Sequence, residues 1–100
     1  MNKKLLVIIT NHGFAHEVIK QSKTTGAQGA TILSGRGIAG NAETFMGMHI
    51  TPEKEIVLIV LDEEIADTTM KGISAGLGID TNAGSICFLL PVDMLTQFKG

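Results

Sequence analysis

Two unbroken apolar runs, KLLVIIT over residues 4–10 and EIVLIVL over residues 55–61, constrain this 100-residue chain more than any other feature. Continuous β-branched and aliphatic runs of this kind suit strands that are covered on both faces. A chain this short removes only about 60–65% of its unfolded surface on folding. Yet 44% of its residues are hydrophobic and only 18% are charged. Part of that apolar surface is expected at a subunit interface, because a monomer rarely leaves a large contiguous patch bare.

The remaining elements follow from spacing. Between 14 and 24, Ala15, Val18, Ile19 and Ser22 recur at helical intervals with polar residues between them. Gly26 stands where a left-handed C-terminal cap belongs. Residues 30–34 form a weaker strand. A loop over 35–53 follows, whose glycines at 35, 37, 40 and 47 argue against regular structure; loops longer than about 12 residues tend to be functional or disordered. After the second apolar run, Asp62 is placed to cap a helix reaching about residue 77. Glu63 and Glu64 sit in its first turn, and Ile65, Thr69, Ile73 and Leu77 along one face. Gly76 and Gly78 are expected to end it. A polar loop over 79–85 leads into a last strand, ICFLL, stopped at Pro91.

The order β-α-β-β-α-β is that of the split βαβ motif, so the fold class is α+β, ferredoxin-like, in a single domain over 1–100. It has a four-stranded antiparallel sheet with both helices on one face. In that arrangement the first and third strands are central, and these are the two apolar runs. Helices on one face leave the other bare, and sheet-to-sheet packing between subunits would cover it.

Charge and composition exclude several functions. A net charge of −2 lacks the basic stripe of a nucleic-acid binder. The absence of Trp and Tyr, with only four Phe, rules against a large aromatic-lined pocket. The lone Cys87 cannot form an intrachain disulfide and fits a reducing compartment. The apolar stretch after Met1-Asn2-Lys3-Lys4 ends at Thr10, shorter than an export signal requires, and no run approaches a membrane span. A cytoplasmic location without membrane insertion is expected.

Motifs that could carry chemistry are few. Gly35-Arg36-Gly37-Ile38-Ala39-Gly40 matches the dinucleotide pattern G-x-G-x-x-G, with Glu55 at about the distance of a ribose contact. That motif requires its glycines to open a helix; here they lead into a loop and Pro52. Gly35 and Gly37 could let backbone N–H groups approach a phosphate, with Arg36 as counter-charge, or simply shape a turn. His12 and His16 stand four apart but lack a third ligand at metal spacing. Cys87 lies in an apolar strand without an adjacent base. With no nucleophile–base pair, an enzyme is not expected.

The stretches KKLLVIIT…GAQGATILSGRGIAG (3–40), EIVLIVLDEEIAD (55–67) and AGSICFLLPVD (83–93) resemble the PII signal-transduction family over nearly the whole chain. The resemblance implies a homotrimer that binds adenine nucleotides in clefts between subunits. It also implies a mobile loop between the second and third strands that engages a transporter, enzyme or regulator protein. The resemblance carries over Thr31, Gly35, Gly37 and Gly84; with Arg36 and Ser85 beside them these make up the expected ligand site. The partner-binding loop comprises Ile38, Ala39, Gly40, Asn41, Glu43, Phe45 and Met46.

The chain departs from the family's pattern in its charges. The loop is short and has no tyrosine to modify. The segment 79–85 keeps Gly84 but carries no Lys or Arg, no arginine pair follows the last strand, and Leu58 stands at the family's acidic position. Charge-assisted contacts contribute roughly 1.5–3 kcal/mol each. The expected ligand is therefore less charged than a triphosphate: AMP, ADP or a cyclic dinucleotide. The alternatives are a ligand-free scaffold of the same fold, and a small metal-binding trimer using His12, His16 or His49.

Overall fold

The computed structural model describes residues 2–37, 44–45, 48–49 and 53–96. Its elements are β1 (Lys3–Asn11), α1 (Ala15–Lys23), β2 (Thr31–Arg36), β3 (Thr44–Phe45), β4 (Met48–His49), β5 (Glu53–Asp62), α2 (Glu63–Leu77) and β6 (Ile86–Val92). Four strands form one sheet in the order β2-β5-β1-β6, every neighbouring pair antiparallel. This is the ferredoxin-like order, with the two apolar runs in the centre as expected.

Alternation along the central strands decides which face meets the helices. Leu6, Ile8 and Thr10 of β1 and Val57, Ile59 and Leu61 of β5 are buried. The five aliphatic residues among them pack against Ala15 and Val18 of α1 and Ala66 and Ile73 of α2. Each aliphatic side chain buried this completely contributes about 1.5–3 kcal/mol. The two helices lie against each other and are tied by a 2.6 Å hydrogen bond between the hydroxyls of Thr25 and Thr69. Gly26 adopts φ +112°, the left-handed conformation that closes α1.

Several boundaries differ from the sequence reading. Gly35 and Arg36 belong to β2, and β5 begins at Glu53, so the strands take residues from both ends of the expected loop. Inside it, β3 and β4 pair as a small hairpin, Thr44 opposite His49 and Phe45 opposite Met48. Gly76 lies within α2; only Gly78 is at its end. Pro91 does not stop β6, which runs on to Val92. As the outer strand of the sheet, β6 tolerates a residue without an N–H. Asp62 stands at the N-cap of α2 in extended conformation, but its side chain makes no cap bond. Its carboxylate instead accepts from Lys3 Nζ.

Candidate functional site

The antiparallel register places the end of β1, the start of β5, the end of β2 and the start of β6 at one edge of the sheet. Three connections open there: the turn 12–14, the 37–52 segment and the turn 78–85. Asn11, the last residue of β1, joins them. Its backbone N–H donates to the carbonyl of Ala83 at 2.8 Å. Its side-chain Nδ2 donates to the carbonyl of Asn82 at 2.9 Å, and its Oδ1 accepts from Lys54 Nζ. Lys54 is directly opposite Asn11 on one side and Gly35 on the other.

The turn 78–85 is held firmly. Gly84 takes φ +56°, a conformation that favours glycine, and its N–H donates to the carbonyl of Thr81 at 3.0 Å. A Cβ added at Gly84 would come within 2.9 Å of Asn11 Nδ2. Thr10 Oγ1 donates to the same Ala83 carbonyl and accepts from Ser85 Oγ, both at 3.0 Å. Ser85 N–H donates to the carbonyl of Leu77, tying the turn to the end of α2.

On the other side of Asn11, a groove of about 310 Å³ is lined by Ser34, Gly35, Arg36, Glu53 and Lys54. Lys54 stands opposite Gly35, and Arg36 opposite Glu53. His12 Nδ1 lies 3.8 Å from Glu53 Oε2. One register position further in, Glu55 Oε1 accepts from the backbone N–H groups of Gly13 at 2.7 Å and Ala15 at 3.1 Å. The Ala15 and Gly13 bonds favour the carboxylate and, with the nearby His12 and His16 rings, outweigh the burial that opposes it, so its pKa is lowered. Glu55 is therefore the cap of α1, supplied from β5.

The expected ligand residues are thus divided. Gly35 and Arg36 line the groove, Gly37 follows them beside the Lys54 side chain, and Gly84 lies across Asn11 from it. Thr31 is four residues back along β2, roughly 13 Å from Gly35 at strand rise, and opposite Leu58 in mid-sheet. The Ser85 hydroxyl points into the protein and is spent on Thr10. Of the expected partner loop, Phe45 is in β3, while Ile38, Ala39, Gly40, Asn41, Glu43 and Met46 lie outside the described residues. Sequence reasoning missed Asn11 and Lys54. The only signal for them was their position flanking the two apolar runs, and the register that brings them together is a long-range fact.

The helix-free face of the sheet continues from Lys54 and Asn11. Cross-strand rows run Leu33–Ile56–Ile9–Ile86, then Thr31–Leu58–Val7–Phe88, then Val60–Leu5–Leu90. Phe88 is 41% exposed and Ile86 51%. Among the described residues the helices cover the central strands on one side only. Among the described residues no three His, Cys, Asp or Glu side chains are grouped to hold a metal ion. His12 precedes α1, so it shares no helix face with His16.

No family profile and no curated protein sequence matches the chain. Solved structures do. A PII-like signalling protein from Thermus thermophilus superposes with a TM-score of 0.69 at 18% identity, over 92% of this chain and 87% of that one. B. subtilis GlnK in complex with ATP gives 0.71 at 12% identity, over 92% and 84%. B. subtilis GlnK gives 0.67 at 12% identity, over 93% and 87%. The chain has the PII-like fold. In this PII-like chain Asn11 and the turn 78–85 frame one side of the candidate site, and the Gly35–Lys54 groove the other. No helix among the described residues is long and apolar enough to cross a membrane.

Proposed function

We propose that this chain is a small-molecule-sensing regulator, not an enzyme. It would assemble as a homotrimer through its bare sheet face and bind AMP, ADP or a cyclic dinucleotide at the clefts so formed. It would signal through the 35–53 segment to a transporter, enzyme or regulator protein. The reading is carried by one observation: in a PII-like fold, the Asn11 side chain links the turn 78–85 to Lys54 at the far root of that segment, and Lys54 stands opposite Gly35 at the near root. A ligand touching Gly35, Gly37 or Gly84 would bear on the roots of the 38–52 segment, whose conformations it could select. A cytoplasmic setting follows from the same reading.

The test is thermal unfolding against AMP, ADP, ATP and cyclic dinucleotides, with mass by light scattering. A ligand at a hundred times its Kd stabilises by about 2.7 kcal/mol, a shift of roughly 10 °C or more for a domain of this size. An unchanged melting temperature with every adenine compound at millimolar concentration would overturn the sensing part. A second reading, a ligand-free scaffold, is favoured by one feature: the turn 78–85 contains Asp80 and no cation. It predicts that unchanged result together with an intact oligomer.

A further inference from the structure

We propose that Lys54, positioned by Asn11, is the anion contact of the site, and that it selects an adenine ligand with one or two phosphates. The inference rests on the sensing function proposed above and deepens it.

The turn 78–85 carries no cation and its one charged side chain is the Asp80 carboxylate, so the charge that holds a phosphate must come from elsewhere on this edge. Of the cations described, Lys3 and Lys4 sit at the opposite end of the sheet beside Asp62 and Glu63, and Lys71 bonds Asp67 along α2. Lys20 and Lys23 are on the exposed side of α1. Lys54 and Arg36 remain, and both line the groove beside Gly35.

Lys54 is also held in readiness. Among the described residues its Nζ donates to a neutral amide oxygen, Asn11 Oδ1, and not to a carboxylate. Nδ2 of the same amide is taken by Asn82, so Oδ1 is the end presented to Lys54. A neutral acceptor orients an ammonium group without cancelling its charge, and it releases Nζ to an anion more readily than a carboxylate would.

Two glycines make room for the pair. A Cβ on Gly37 would approach Lys54 Cε and Cγ at 3.1 and 3.3 Å, and one on Gly84 would press on the Asn11 amide. The glycines read from the sequence as phosphate-approach residues thus have a second physical role: they seat the lysine and its holder. Arg36 stands opposite Glu53 on the other face of the sheet, so Lys54 is the cation offered on the face of Asn11 and Gly35, which suits a short phosphate chain. A triphosphate would bring more charge than this one cation matches.

The experiment measures adenosine, AMP, ADP and ATP binding by calorimetry on the full chain, comparing wild type with Lys54→Met, Lys54→Arg and Asn11→Asp. Expected for Lys54→Met is a loss of roughly tenfold or more in AMP and ADP affinity, with adenosine unchanged. Lys54→Arg should keep most of the phosphate preference, which also shows that loss in the methionine variant is not misfolding. Asn11→Asp should weaken AMP binding by giving Lys54 a competing carboxylate. Nucleotide binding that is equal in wild type and Lys54→Met would overturn this inference and leave the sensing function standing. The absence of any adenine binding in wild type would overturn both. Wild-type affinity rising from ADP to ATP would overturn the selectivity.

Discussion

Glu55 shows how one side chain can serve two elements. The N-cap position of α1 is occupied by Phe14, which has no capping oxygen, and the orphan N–H groups of Gly13 and Ala15 are met by a carboxylate from β5. Replacing Glu55 by Gln should cost about 1 kcal/mol at pH 7. That figure sits within the range for lost caps and is held low because the group is partly exposed. A carboxylate whose folded pKa is lowered stabilises above its unfolded value, and that stability is lost as pH falls through the folded value. Urea unfolding of wild type and Glu55→Gln should therefore differ most at neutral pH and converge below pH ~4. A gap that persists unchanged at acid pH would show that Glu55 acts by packing. Cys87 behaves oppositely: burial pushes its thiol pKa up, and the Ser74 hydrogen bond only partly opposes this. At pH 7 it should react with a thiol reagent more slowly than a free cysteine, and labelling at the free-cysteine rate would contradict its half-buried position beside α2.

At the scale of elements, what was legible was whatever apolar patterning alone decides. β1 and β5 announced themselves as unbroken runs, and α1 and α2 by helical spacing. The glycine at φ +112° after α1 was visible because a left-handed cap leaves a sequence signature. The β3–β4 hairpin was not visible, since strands of two residues have no periodicity to read. Nor was the extension of β2 through Gly35 and Arg36, because a glycine inside an edge strand looks like a loop until its partner in β5 is known. Asn11 and Lys54 were hidden for the same reason, as cross-strand neighbours 43 positions apart. The turn 78–85 offers a direct test of how tightly that edge is built. Gly84→Ala would place a Cβ at a left-handed residue, costing about 1–2 kcal/mol, and would push the Asn11 amide off the Asn82 carbonyl. A urea midpoint lowered by the equivalent of about 1–3 kcal/mol is expected. An unchanged midpoint would mean that the turn relaxes freely and that Asn11 is not held by it.

At the scale of the whole molecule, the decisive fact is an asymmetry between the two sides of one sheet. The helix side is closed, with Leu6, Ile8 and Val57 fully buried. The other side carries Leu5, Val7, Ile9, Ile56 and Leu58 across its centre and Phe88 and Leu90 on β6, arranged in register rows. A patch that continuous is the mark of an interface; scattered single residues would need no explanation. Proposed assembly through this face makes a sharp prediction for Phe88, which stands opposite Val7. Phe88→Asp leaves the closed core untouched, because the ring is outside it, but would bury an unpaired carboxylate if a second sheet packs there, a cost of about 3–5 kcal/mol. By light scattering at micromolar concentration the wild type should show about three times the 10.6 kDa of a single chain, whereas Phe88→Asp should show the single-chain mass with the same helical circular dichroism. Ile8→Ala, directed at the closed side, should do the reverse, lowering stability by about 2–5 kcal/mol while the assembled mass is kept below the unfolding transition. A wild-type mass of one chain, or an assembly indifferent to Phe88→Asp, would mean that this face is covered by something other than copies of itself, and the intersubunit site would go with it.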